Sequence, residues 1–256
     1  MTAPQVVVHP DATAVAEVTA ARLIVTLVDR QSLHAPLHVV LTGGTVGIAV
    51  LAAVNSSPAR NAVDWSEVHL WWGDERFLPV GHADRNETQA RAALLDGLGM
   101  ALPAGNVHPV PAAGSAGVTT AEDAAAAYAT ELATYAPPGT AGPATPAFDV
   151  VLLGMGPDGH VASLFPGHPA ATASGAPTVA VHDAPKPPPE RVSLTGEAIC
   201  AADTVWIVVA GAEKAPAVAA ALSGAELPAA HVHGRGSTLW LVDAAAAGPG
   251  TGTSPA

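Results

Sequence analysis

The chain has 256 residues, of which 49% are hydrophobic and only 12% charged, and its 22 acidic against 10 basic side chains give a formal charge of −12. Such a composition excludes a disordered chain and argues against non-specific nucleic-acid binding, which needs a basic patch to meet the phosphate backbone. The lone cysteine, Cys200, excludes an intrachain disulfide; without a leader-like N-terminal segment or a run of about eighteen apolar residues, a cytoplasmic protein with no membrane contact is expected.

From Asp11, the residues Ala14, Val18, Ala21, Val25 and Val28 recur at steps of four and three, so the first element is predicted to be an amphipathic helix capped by Asp11 or Thr13. Leu37-His38-Val39-Val40-Leu41 reads as a buried strand that runs into Thr42-Gly43-Gly44-Thr45 and then a helix over 46–54. The pattern repeats with a strand over 68–72, a loop over 73–85 and a helix over 86–98 that Asn86 can cap. A short strand at most occupies 107–110, and Thr119 or Thr120 opens an alanine-rich helix reaching Tyr135, with Glu122 and Asp123 in the first turn where the helix dipole favours acids. Residues 136–147, rich in Pro, Gly, Ala and Thr, read as a connector.

Further strands are predicted over 148–154, 178–181, 191–195, 204–210 and 238–242, with a helix over 213–222. Cys200 reads as a small buried hydrophobe on a helix, and residues 244–256 as a frayed tail behind a single domain spanning 1–243. Apolar strands alternating with helices imply an α/β fold whose mostly parallel sheet is covered on both faces. Ligands of such folds bind beyond the carboxyl ends of the strands, where the loops 42–45, 73–77, 154–160 and 211–214 all fall.

The most informative of these loops is Gly154-Met155-Gly156-Pro157-Asp158-Gly159-His160, in which glycines clear space around a carboxylate and an imidazole two residues apart. A histidine oriented by a carboxylate can take a proton from water near neutrality. Thr42-Gly43-Gly44-Thr45 at a helix start can aim free N–H groups at an anion, and Arg76 in Gly73-Asp74-Glu75-Arg76 can fork onto a phosphate or carboxylate or hold an acid in place. Neither G-x-G-x-x-G nor G-x-x-x-x-G-K-[ST] occurs, so a dinucleotide or nucleoside triphosphate site is unsupported. No G-x-S-x-G occurs either, which favours direct attack by water over a serine nucleophile. His231-Val232-His233 lacks neighbouring Cys, Asp or Glu at ligand spacing, so no metal is expected there. His168 can border the site, whereas His38, His69, His108, His182 and His231 read as structural.

Four ordered motifs carry a resemblance over residues 6–243: Leu41-Thr42-Gly43-Gly44-Thr45; Gly73-Asp74-Glu75-Arg76 with Pro79 and Asn86 downstream; the Gly154 to Gly167 run; and Pro185-Lys186-Pro187-Pro188-Pro189-Glu190-Arg191-Val192-Ser193-Leu194-Thr195 followed by Gly211-Ala212-Glu213-Lys214. Together they resemble the glucosamine-6-phosphate isomerase/6-phosphogluconolactonase family, and within it the lactonases, which open 6-phosphoglucono-δ-lactone in the pentose phosphate pathway. The resemblance implies a three-layer α/β/α fold shared with glucosamine-6-phosphate deaminases and ribose-5-phosphate isomerases. It implies His160 as the base that activates water and Asp158 as its partner. Thr42, Gly43, Gly44, Thr45, Asp74, Arg76, Arg191 and Lys214 are implied to bind the substrate, with the Gly-Gly turn, Arg191 and Lys214 on its phosphate. It implies no metal and no organic cofactor, a sugar-phosphate lactone as the small-molecule partner, and either a monomer or a homodimer.

Arg85 stands where many lactonases have Ser before this Asn. Two other readings share the fold. Amino-sugar-phosphate isomerase-deaminases carry an acid soon after the histidine, but residues 161–166 contain none. A non-catalytic sugar-phosphate sensor would need a basic helix-turn-helix unit, and residues 1–35 offer few cations.

Overall fold

The computed structural model describes residues 3–248. Its frame is a six-stranded sheet of parallel strands in the order β1-β9-β8-β5-β2-β3. In chain order these are β1 (Gln5–His9), β2 (Leu37–Leu41), β3 (Val68–Trp72), β5 (Val150–Gly154), β8 (Thr204–Val209) and β9 (Ser237–Asp243). Every residue of β2 and β8 is buried, as strands covered on both faces must be. Each fully buried Val, Leu or Ile there contributes roughly 1.5–3 kcal/mol. The architecture is the mixed α/β one expected, with a mostly parallel central sheet.

Helices α1 (Ala12–Gln31) and α2 (Gly44–Ser56) lie against each other and against this sheet. Asp11 caps α1 by accepting from Ala14 N at 2.9 Å, but the helix buries a different stripe from the one expected. Val15, Ala16, Thr19, Ala20, Leu23, Ile24 and Leu27 face the core, while Val18 and Val25 remain 38% and 57% exposed. Two apolar stripes run side by side along this helix, and the one bearing Leu and Ile wins because it removes more apolar area from water. Nor is α1 the first element, since β1 precedes it and pairs with β9 at the sheet edge.

The stretch 73–85, expected to be a loop, contains β4 (Asp74–Arg76). With β6 (Thr178–Val181) and β7 (Arg191–Leu194), it forms a separate antiparallel sheet in the order β4-β7-β6. Three residues with two acids carry too little apolar pattern to announce a strand; the pairing partner supplies it. After α3 (Asn86–Ala90) the chain passes through a π-helical stretch, Arg91–Leu95, into the short α4 (Asp96–Leu98). Helix α5 (Ala121–Thr134) opens on a capping box between Thr120 and Asp123. It fixes the end of β3 through Tyr128, whose hydroxyl accepts from Trp72 N at 2.9 Å and donates to Trp72 O at 3.1 Å.

Cys200 ends α6 (Gly196–Cys200) half-buried, with burial pushing its thiol pKa up, which suits the structural reading. Beyond α7 (Ala215–Leu222) and α8 (Pro228–His231), β9 leads into α9 (Ala244–Ala247). There the expected frayed tail is instead a helical turn, capped by Asp243, with Ala246 and Ala247 buried. Residues 249–256 of that tail lie outside the described residues. Among the described residues, no helix is long and apolar enough to cross a membrane.

Candidate active site

Parallel strands end at one edge of the sheet, and the loops leaving β2, β3, β5 and β8 meet there. After β2, Thr42 and Gly43 turn into α2. Gly44 has φ of 77°, a conformation that favours glycine. The N-cap Gly43 makes no side-chain cap and the first turn holds no acid, so the N–H groups that open α2 remain available to an anion. Thr42 Oγ1 accepts from Gly154 N at 3.2 Å, which ties this turn to the end of β5.

The loop after β5 folds back on itself: Gly156 N donates to His160 O at 2.9 Å and Gly159 N to Gly156 O at 3.0 Å. This brings His160 Nδ1 to 2.5 Å from Asp158 Oδ1. A Cβ on Gly156 would lie only 2.1–2.5 Å from atoms of both side chains, so glycine leaves the space the pair occupies. The His160 side chain is 15% exposed and its ring lies 4.5 Å from that of Phe165, centroid to centroid. Burial pulls its pKa below the usual imidazole value, and the Asp158 carboxylate offsets this only in part. Burial alone would raise the Asp158 pKa, but the charge and hydrogen bond of His160 hold it below the ordinary carboxylate value. The imidazole is therefore neutral near pH 7. With Nδ1–H given to Asp158, its Nε2 is the free base.

Four cations surround this pair. Arg76 and Arg191 stand directly opposite each other on β4 and β7, an arrangement that costs energy unless an anion lies between them. Arg191 is 5% exposed; its Nε and Nη2 donate to the carbonyls of Pro188 at 3.1 Å and Lys186 at 2.7 Å, and its guanidinium lies 5.6 Å from the centre of the Phe165 ring. Burial depresses the pKa of both Arg191 and Lys214, and the neighbouring Lys186 adds to the effect on Lys214. Among the described residues none of Arg76, Lys186, Arg191 and Lys214 makes an ion pair; of the other arginines Arg30, Arg85 and Arg91 are paired with carboxylates, and Arg22, Arg60 and Arg235 are not. A chain of charge −12 thus places both of its lysines and two of its eight arginines around one cavity.

That cavity measures about 270 Å³. It is lined by Thr42, Gly43, Gly44, Thr45, Asp74, Arg76, His160, Arg191 and Lys214, so the residues expected to act on or bind the substrate all reach it except Asp158, which stands behind His160; His168, expected to border the site, does not reach it. Two further polar residues line it that the sequence reading did not place in the site. Lys186 sat in the proline run as part of a motif without a role, and its scarcity was the available signal. Asn86, expected to cap a helix, instead occupies its first turn behind Arg85; its Nδ2 donates to Asp74 O at 2.8 Å and to Asp74 Oδ1 at 3.3 Å. The Asp74 carboxylate also accepts from Ser163 Oγ at 2.6 Å.

Arg85 acts behind the wall. Only 1% exposed, it donates to Leu78 O and Val110 O and lies 3.6 Å from the buried Glu75. Glu75 in turn accepts from the backbone of Arg76, Asn86 and Glu87. His168 caps a short helical turn and hydrogen-bonds His182 O, away from the cavity. His38, His69 and His108 contact one another near the opposite end of β2 and β3. Among the described residues, no group of three or more His, Cys, Asp and Glu side chains is placed to hold a metal ion.

The sequence matches the family model described as glucosamine-6-phosphate isomerases/6-phosphogluconolactonase over residues 10–240. A 6-phosphogluconolactonase of Streptomyces coelicolor is 53% identical over 247 residues, covering 95% of this chain and 94% of that protein. One from Mycobacterium tuberculosis is 48% identical over 212 residues, covering 82% and 83%. Among solved structures, the 6-phosphogluconolactonase of Trypanosoma brucei superposes with a TM-score of 0.83 at 29% identity, covering 95% of this chain and 97% of that one. A monomeric glucosamine-6-phosphate deaminase, at 15% identity and a TM-score of 0.75, shares the fold.

Proposed function

We propose how the cavity performs the lactonase reaction in this chain, which belongs to the glucosamine-6-phosphate isomerase/6-phosphogluconolactonase family. The enzyme hydrolyses 6-phospho-D-glucono-1,5-lactone to 6-phospho-D-gluconate in the oxidative branch of the pentose phosphate pathway. The observation that carries the mechanism is the meeting of the His160–Asp158 pair with four cations across one cavity.

The phosphate docks on the Gly43–Gly44 turn with Arg191 and Lys214, which places the lactone carbonyl beside His160. Nε2 of His160 takes a proton from water as the water oxygen bonds to C1. The carbonyl becomes a tetrahedral oxyanion among the cations of the same cavity. Collapse of this intermediate breaks the bond from C1 to the ring oxygen, and the imidazolium returns its proton to that oxygen. Asp158 steadies the imidazolium in between. A placed general base contributes about 10²- to 10⁴-fold, and alignment of water with the bound carbonyl contributes at least as much. No metal or organic cofactor takes part in these steps. All the groups in these steps come from one chain, so the same chemistry serves a monomer or a homodimer.

The test offers purified protein fresh 6-phosphogluconolactone and glucosamine 6-phosphate in parallel, following acid release and ammonia release and subtracting spontaneous hydrolysis. Acid release from the lactone without ammonia supports this reading. Ammonia release would assign the deaminase reaction instead, and neither product would remove the enzymatic assignment.

A further inference from the structure

We propose that Asn86 is a positioning residue that fixes the anion-binding turn at Gly43 relative to the Asp74 carboxylate, and that Gly43 is a glycine because of Asn86. Gly43 has φ of −86° and ψ of −158°, an extended conformation open to any residue. The obstacle to a side chain there is Asn86: a Cβ on Gly43 would lie 1.9 Å from its Oδ1, 2.4 Å from its Cγ and 3.0 Å from its Nδ2. The adjacent Gly44 is the reverse case, with φ of 77° and open space where a Cβ would go.

The amide cannot turn away. Its Nδ2 faces two acceptors, the carbonyl and the carboxylate of Asp74, so its Oδ1 is directed to Gly43, where it is buried without a hydrogen-bond partner among the described residues. Asn86 itself is 2% exposed, and its backbone N–H is held by Glu75 at 2.7 Å. A single side chain thus touches the turn that opens α2 and the acid packed beside the cations. A shift of about 1 Å in a group that positions substrate can cost a hundredfold in rate, and this amide is the part that sets the spacing.

The proposal rests on the lactonase reading for its substrate, so its test also includes a ligand-only measurement. Wild type, Gly43→Ala, Asn86→Ala and the double variant are compared for inorganic phosphate affinity, and for kcat and KM with 6-phosphogluconolactone and with glucono-δ-lactone. We expect Gly43→Ala to weaken phosphate binding at least tenfold and to raise KM for the phosphorylated lactone, with a smaller effect on glucono-δ-lactone. In the Asn86→Ala background, adding Gly43→Ala should change either quantity by less than about threefold. Equal losses from Gly43→Ala in both backgrounds, or losses equal for the two lactones, would overturn the proposal. If Asn86→Ala does not fold, Asn86→Ser vacates the same space while leaving a donor for Asp74, and the same comparison decides. Wild type that binds phosphate but hydrolyses neither lactone would defeat the lactonase reading, and the phosphate affinities would still judge Asn86.

Discussion

Replacing Asp158 by Asn removes the charge beside His160 while keeping the size of the side chain. The two atoms are 2.5 Å apart, with the carboxylate side chain 38% exposed and the imidazole 15%. A hydrogen bond to a charged group contributes roughly 1.5–3 kcal/mol and a neutral one roughly 0.5–1.5 kcal/mol. Because solvent screens a carboxylate more than a third exposed, the difference belongs near the low end, about 1–2 kcal/mol. If that difference is realised as the imidazolium forms, kcat falls by about 5- to 30-fold. The pH profile adds an independent sign. Burial lowers the His160 pKa and Asp158 raises it, so removing the carboxylate moves it further down, and the acid limb of kcat/KM shifts to lower pH. The assay follows acid release from 6-phosphogluconolactone across pH, with the spontaneous rate subtracted. An unchanged kcat together with an unmoved acid limb would refute the pairing of these residues in catalysis.

Lys214→Ala and Arg191→Lys should each raise KM for the phosphorylated lactone by about 10- to 100-fold, the equivalent of one charge-assisted contact, and alter kinetics with glucono-δ-lactone far less; equal effects on both substrates would mean that neither residue holds the phosphate. In Gly156→Ala the new Cβ would press on His160 and Asp158, so kcat should drop by about a hundredfold or more, and a wild-type kcat would contradict the tight fit around the pair. His38 is buried against Trp71, whose Nε1 donates to it at 3.1 Å, and burial chiefly holds its pKa down to about 4. Between there and its ordinary 6.5, the unfolded chain binds the extra proton, so stability is complete above about pH 6.5 and declines as pH falls. By pH 5 the loss is about 2 kcal/mol. Urea unfolding at pH 7.5 and pH 5 should show that wild type loses this much more than His38→Gln, and identical losses would exclude His38 as the source.

The sequence was most legible where chemistry and backbone geometry coincide. Strands such as Leu37–Leu41 and Val68–Trp72 are apolar at nearly every position, and the glycines after them announce the turns that carry Gly43, Asp158 and His160. Apolar spacing alone could not choose between the two stripes of α1, because Val18 and Val25 keep the same helical period as the buried Leu23 and Leu27. Strand β4 was illegible because its pairing comes from β7, more than a hundred residues away. Asn86 looked like a cap by residue type, and only the position of Gly43 and Asp74 in space shows what it touches. Arg85 gave no local clue that its charge belongs to a buried Glu75.

In the proposed mechanism, cations anchor one end of the sugar acid while the other end meets an imidazole. A crystal structure with 6-phosphogluconate bound measures this directly. The phosphate should contact the Gly43–Gly44 turn, Arg191 and Lys214, with the C1 carboxylate within hydrogen-bond reach of His160 Nε2. A phosphate touching neither Arg191 nor Lys214, or a C1 carboxylate remote from His160, would contradict it.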